Sequence, residues 1–165
     1  MFAIRSILIA ACVFMLAACS GGRDAGTSGA QASRFLTEDE LPLYPNETPE
    51  LRLLINRYAS LYDVPVELVH RVVIRESTHR PGARNGPYYG LMQILPQTAR
   101  TMGHRGPPGE LLDAETNLKY AVKYLRGAWL LSDGSHDKAV YWYSRGYYYE
   151  AKRRGMLVET GLRPG

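Results

Sequence analysis

The stretch with the clearest chemical potential is Arg75-Glu76-Ser77-Thr78-His79-Arg80-Pro81, followed by Gly90-Leu91-Met92-Gln93-Ile94. A carboxyl group ends an apolar helical pattern, and a Gly-led apolar turn carrying one amide follows it. Val69, Val72, Val73 and Glu76 fall at i, i+3, i+4 and i+7, so Glu76 points the same way as the valines. Glu is rarely buried without a reason. A carboxyl on an apolar face loses hydration, which favours its neutral form and suits it to give up a proton in a reaction. The plainer reading is a Glu at a fraying helix end, turned to water or paired with Arg71, Arg75 or Arg80.

The elements that must position this pair are helical. Thr48-Pro49-Glu50 has the order of an N-cap, a first-turn proline and a first-turn acid. Leu51, Leu54, Ile55, Tyr58 and Leu61 then recur at helical spacing. Pro65 opens a second helix, which carries Glu76. Residues 80–89 hold Pro81, Gly82, Gly86 and Pro87, and the pattern predicts a long loop. Pro96 starts a short helix that Gly103 ends. Asp113 caps a long helix with the stripe Leu118, Ala121, Val122, Leu125 and Trp129, and Asp133-Gly134 stops it. Ser135 or His136 opens a further helix, Gly146 interrupts it, and Tyr147 to Arg154 continues helically. No alternating strand of useful length is evident. The predicted fold class is all-α, with about five or six helices and no repeat.

The first residues carry a targeting pattern. Arg5 precedes an apolar run from Ile7 to Leu16, too short to span a bilayer and suited to a signal segment. It ends in Leu16-Ala17-Ala18-Cys19, which resembles the lipobox of bacterial lipoproteins. That resemblance implies that Cys19 is lipidated and becomes the mature N-terminus, with acyl chains holding the protein at a membrane. Ser20 follows, with no Asp to argue for inner-membrane retention, so the implied place is the periplasmic face of an outer membrane. The alternative is a plain signal peptide cut near Ala18 or Ala25. Residues 20–34 are Ser, Gly, Ala, Thr and Gln with few apolar groups, the composition of a flexible tether. Phe35 to Pro49 reads as an extended arm, laid over the domain by its apolar residues.

Charge and cysteines narrow the function classes. Without Arg5 the chain keeps 19 basic against 16 acidic residues. This mild excess suits an anionic partner and falls far short of a nucleic-acid signature. The only cysteines are Cys12 and Cys19, so the mature domain has no disulfide and no thiolate zinc site. The four histidines, His70, His79, His104 and His136, show no ligand spacing along the chain. No metal or cofactor is expected. Twelve tyrosines offer apolar bodies with polar tips, useful in a sugar groove and equally in a core.

Four blocks in order go further. They are Glu76-Ser77-Thr78-His79-Arg80-Pro81-Gly82-Ala83, then Gly90-Leu91-Met92-Gln93-Ile94-Leu95-Pro96-Gln97-Thr98-Ala99, then Leu112-Asp113-Ala114-Glu115-Thr116-Asn117-Leu118 with Tyr124-Leu125, and last Ala139-Val140-Tyr141-Trp142-Tyr143-Ser144-Arg145-Gly146. Together they resemble the catalytic domain of the soluble lytic transglycosylase (SLT) family over roughly residues 52–150. The resemblance implies a goose-type lysozyme-like helical domain that cleaves the MurNAc–GlcNAc β-1,4 bond of peptidoglycan. It implies Glu76 as the catalytic acid/base and Ser77 as the residue that steadies it. Met92 and Gln93 would line the groove, and Tyr143 would hydrogen-bond the Glu. Asn117 matches a family Asn, read here as structural. Ser144 and Arg145 depart from the family's Asn and Ala. Arg145 would meet carboxylates of the substrate, or else stand as a solvated helix residue.

The chemistry agrees with one acid. Paired-carboxylate glycosidases hold their acids about 5–5.5 Å or about 6.5–9.5 Å apart. Here Asp113 and Glu115 sit in a helix first turn, where acids favour the dipole, and Asp133 and Asp137 flank a turn. The expectation is a monomeric lipoprotein: signal peptide 1–18, anchored tether and arm 19–48, catalytic domain 49–165. The rival readings are a hydrolytic muramidase and a non-catalytic peptidoglycan-binding lipoprotein.

Overall fold

The computed structural model describes residues 41–164. The signal segment, Cys19 and the tether up to residue 40 lie outside the described residues. Six α-helices make up the domain: α1 (Pro49–Leu61), α2 (Val66–Ser77), α3 (Pro96–Thr101), α4 (Ala114–Leu130), α5 (His136–Arg145) and α6 (Tyr148–Arg154). A 3-10 turn, Pro108–Leu112, precedes α4. The all-α expectation holds. The loop after α2 also contains a two-stranded hairpin, β1 (Arg84–Asn85) against β2 (Tyr88–Tyr89), with Arg84 opposite Tyr89. Strands of two residues leave no alternation to detect in a sequence.

The caps fall where the residue types put them. Thr48 accepts the Leu51 N–H, Asp113 the Thr116 N–H and Ser135 the Lys138 N–H. Helix α4 is the central element, packed on both α1 and α5. Its Leu118, Ala121, Val122 and Leu125 are fully buried, as are Val69, Val72 and Val73 of α2. Fully burying one such valine is worth about 1.5–3 kcal/mol. The valine stripe therefore fixes the rotation of α2, and with it the direction of Glu76. Gly127 lets α4 approach its neighbours: a Cβ there would lie 2.3 Å from the Tyr147 hydroxyl. No helix among the described residues is long and apolar enough to cross a membrane.

The arm differs from expectation. In its described part, Leu41, Leu43 and Tyr44 stay substantially exposed, so burial of these side chains is not what seats residues 41–48. Buried Arg52 of α1 donates to the carbonyls of Leu41 and Pro42 and to both oxygens of buried Glu47. Asn46 donates to the Thr78 carbonyl at 3.0 Å. A polar clasp ties residues 41–48 to the end of α2.

Candidate active site

Glu76 lies in the last turn of α2, its side chain 23% exposed. Thr78 and His79 follow in the left-handed region, at φ 52° and 56°. Two consecutive non-glycine residues there turn the chain sharply away. The helix thus ends beside the carboxyl group, which opens into a cleft. Desolvation raises the Glu76 pKa, and Arg75, whose Nε lies 3.5 Å from Oε1, partly opposes the rise. The cleft around Glu76 has a volume of about 320 Å³ and is also lined by Arg75, Asn85, Tyr88, Gln93, Tyr143 and Ser144. Four of these, Tyr88, Gln93, Tyr143 and Ser144, also line a second cavity of about 290 Å³ that continues toward Tyr124, Thr98 and Arg145. The two form one groove, and Glu76 is the sole acid lining it among the described residues.

The other acids are engaged elsewhere. Asp113 is a helix cap, and Glu115 pairs with Arg57 and accepts from the Tyr58 hydroxyl. Asp137 pairs with Arg71, and Asp133 with Arg154.

The remaining expected site residues divide. Ser77 is buried; its hydroxyl donates to the Val73 carbonyl and accepts the Arg80 N–H, both at 3.3 Å. It steadies the turn after Glu76, without touching the carboxyl group. Gln93 lines both halves of the groove, at φ 46°. Its amide donates to the carbonyls of Ala83 and Gly90, so it braces the hairpin loop. Met92 is fully buried and does not line the groove. Its side chain is buried in the core with those of Leu91 and Ile94, while Gln93, at positive φ, is the residue of the turn that lines both halves of the groove. The Tyr143 hydroxyl donates to the Met92 carbonyl at 2.8 Å, where a bond to Glu76 was expected. A phenol has one proton, and the main chain of the turn takes it. Burial holds the Tyr143 pKa well above its usual value, with the negative charge of Glu76 adding to the effect.

Asn117 is structural, as expected. Its Nδ2 donates to the carbonyls of Tyr89 and Leu111, each at 2.8 Å, and its Oδ1 accepts the Met92 N–H at 3.0 Å. Gly90 sits against it at φ 74°, where a Cβ would lie 2.2 Å from Asn117 Nδ2 and from the Leu111 carbonyl oxygen. Asn85 and Tyr88 are groove residues that the sequence did not single out. Their only signal was membership of a long loop beside the Glu.

The fold brings together two histidines that looked unrelated in sequence. His70 Nδ1 and His79 Nε2 are 3.2 Å apart, and His70 Nδ1 is 3.8 Å from Glu47 Oε1. Among the described residues, Glu47, His70 and His79 could present one ligand atom each to a metal ion. Most of these donors already have partners, with His79 Nδ1 the buried exception among the described residues. The Arg52 fork takes both Glu47 oxygens, and the imidazoles bond each other. The lowered pKa of both rings, chiefly from burial, fits neutral imidazoles in such a network. Tyr44 stacks on His79 at 5.2 Å between centroids, 8° from parallel. This cluster belongs to the clasp of the arm.

The family model "Transglycosylase SLT domain" matches residues 53–154, which runs from within α1 to the end of α6 and takes in every groove residue named above. The chain belongs to this family. Soluble lytic murein transglycosylases from two strains of Escherichia coli are each 31% identical to it over 96 residues. The match covers 54% of this chain and 14% of each relative, so the chain spans a small fraction of those proteins' length. No solved structure gives a significant match. Within an SLT domain, the acid on α2, the Gly90–Ile94 turn and the Tyr143 segment form three walls of one groove.

Proposed function

We propose that the protein is a peptidoglycan lytic transglycosylase in which Glu76 acts first as acid and then as base. The observation that carries this reading is that, among the described residues, the groove holds a single carboxyl group, desolvated and raised in pKa. A neutral Glu76 donates its proton to the glycosidic oxygen as the C1–O bond of the muramyl residue breaks. The carboxylate left behind takes the proton of that residue's C6 hydroxyl, whose oxygen closes onto C1. A 1,6-anhydro end forms, the released chain carries the first proton, and no water is consumed. Attack from within the same sugar has a large proximity advantage over attack by water. Among the described residues no second acid lines the groove to activate water on the opposite face.

The relatives named for murein support peptidoglycan as the substrate, and the signal pattern with Cys19 supports a lipid-anchored protein at the periplasmic face of an outer membrane. Ser77, Gln93 and Tyr143 hold the walls of the groove in this reading, and Met92 supports it through its main chain.

Mass spectrometry of digested peptidoglycan is the test. Anhydro-muramyl ends are expected; reducing ends, heavier by one water, would make the protein a hydrolytic muramidase. Glu76→Gln should abolish release of fragments while glycan binding persists. Unchanged biological effect of that variant would favour the non-catalytic binder. For the anchor, Cys19→Ala should leave the protein soluble or unprocessed; a mature-length chain still sedimenting with membranes would overturn that assignment.

A further inference from the structure

The half of the groove beyond Glu76 has a feature that catalysis leaves unused. Arg145 ends α5 and lines the second cavity beside Ser144 and Gly146. Its guanidinium carbon lies 5.4 Å from the centroid of the exposed Tyr141 ring. Among the described residues no carboxylate pairs with it. The neighbouring arginines differ: Arg71 pairs with Asp137, Arg153 with Glu150, and Arg154 with both Asp133 and Glu150. The groove lining contains two arginines, Arg75 and Arg145, against the single Glu76. Arg75 lies beside that acid. Arg145 therefore brings an uncompensated cation into an aromatic-backed cavity. Ser144, which lines the same cavity, gives its hydroxyl proton to the Tyr141 carbonyl at 3.0 Å.

The geometry points to a carboxylate-reading subsite at Arg145, separate from the reaction centre and resting on the reading of this cleft as a peptidoglycan groove. A planar guanidinium steadied by an aromatic ring presents its N–H fork to a carboxylate more readily than a mobile ammonium does. The ligand is an acid carried by the glycan strand. Two sources share that chemistry: the lactyl carboxylate of a muramyl residue that has lost its peptide, and a carboxylate of the stem peptide where the lactyl group is amidated. Arg145 is a specificity-determining residue in this scheme, and it moves no proton.

Calorimetric titration on the Glu76→Gln background prevents turnover. Three probes separate the possibilities: a chitooligosaccharide, which carries no acid; glycan strands stripped of peptide by an amidase, which expose lactyl carboxylates; and peptide-bearing strands. Adding Arg145→Ala should weaken binding of an acid-bearing probe about tenfold, the order of a charge-assisted hydrogen bond, and leave the chitooligosaccharide unchanged. Loss confined to stripped strands identifies the lactyl group; loss confined to peptide-bearing strands identifies the peptide. Arg145→Lys should recover part of the loss, because it keeps the charge without the fork. Equal loss for all three probes, or no loss for any, would overturn the subsite while leaving the groove assignment in place. If the Glu76→Gln parent binds neither kind of acid-bearing strand, the peptidoglycan reading falls and the subsite with it.

Discussion

Tyr143 on α5 donates its hydroxyl proton to the carbonyl of Met92, 51 residues earlier in the chain, at 2.8 Å. This bond fastens one wall of the groove to the turn that forms another. Tyr143→Phe keeps the ring and removes the bond, leaving a buried carbonyl without its donor. A cost of about 1–3 kcal/mol in stability is expected. Turnover should fall on the order of tenfold to a hundredfold, because a wall displaced by about 1 Å misplaces the sugar. Denaturant titration and muropeptide release measure the two effects. Unchanged turnover with lowered stability would mean that the bond serves the fold alone.

Much of the fold was legible because the signals are local. Caps at Thr48, Asp113 and Ser135, prolines at helix starts and the stripe on α4 each state a helix boundary or face within a few residues. The direction of Glu76 was legible for the same reason, since three buried valines fix the turn of α2. Side-chain destinations across the chain were not. The burial of Met92 within the turn, and the choice of the Met92 carbonyl by Tyr143, depend on how distant elements meet. The meeting of His70, His79 and Glu47 depends on an arm whose apolar residues suggested a different way of seating it. Hydrophobic pattern says which side of a helix faces in; it does not say which buried carbonyl a hydroxyl will find.

Arg75 should tune the proton affinity of Glu76. Burial raises the carboxyl pKa, and the adjacent guanidinium opposes the rise. If neutral Glu76 is the acid, activity falls as pH climbs through its raised pKa. Arg75→Gln removes the opposing cation, raises that pKa further, and moves the alkaline limb of the pH–rate profile to higher pH. The shift should stay below about one unit, because the Arg75 side chain is 52% exposed and solvent screens the pair. Rate profiles of both proteins between pH 4 and about pH 9 test this. An unmoved limb, or one moved to lower pH, would show that this limb does not report Glu76.

Asn117 and Gly90 together hold the turn beneath the groove. Asn117→Leu keeps the approximate volume and strands two buried main-chain groups, the Met92 N–H and the Leu111 carbonyl, while the Tyr89 carbonyl keeps the Ile94 N–H. At about 1–3 kcal/mol for each stranded group, a loss of about 2 kcal/mol or more is expected. Gly90→Ala should be comparably damaging by another route. Its Cβ would meet the Leu111 carbonyl oxygen at 2.2 Å, main chain that cannot swing aside, in a backbone region that L side chains avoid. Thermal melts of both variants check this, and a melting point within a degree of the parent for either would refute the corresponding contact.

The clasp should make stability depend on pH in one direction. His70 has its pKa lowered to about 4, chiefly by burial; Glu47 and Glu67 oppose that depression, while His79 and Arg52 add to it. The folded pKa lies below the ordinary value near 6.5. Between the two, the unfolded chain binds more protons than the folded one, so stability rises with pH across that window. It is greatest above about pH 6.5 and declines as pH falls toward about 4, by up to about 1.4 kcal/mol for each unit of depression. His79, lowered in the same direction, adds to the slope, whereas Glu47 is held as a carboxylate by Arg52 and protonates only at lower pH. His70→Asn offers an amide near the place of Nδ1 and does not titrate. Denaturation curves at pH 7.5 and pH 4.5 should differ less in that variant than in the parent. An identical difference in both proteins would remove His70 as the source of the pH dependence.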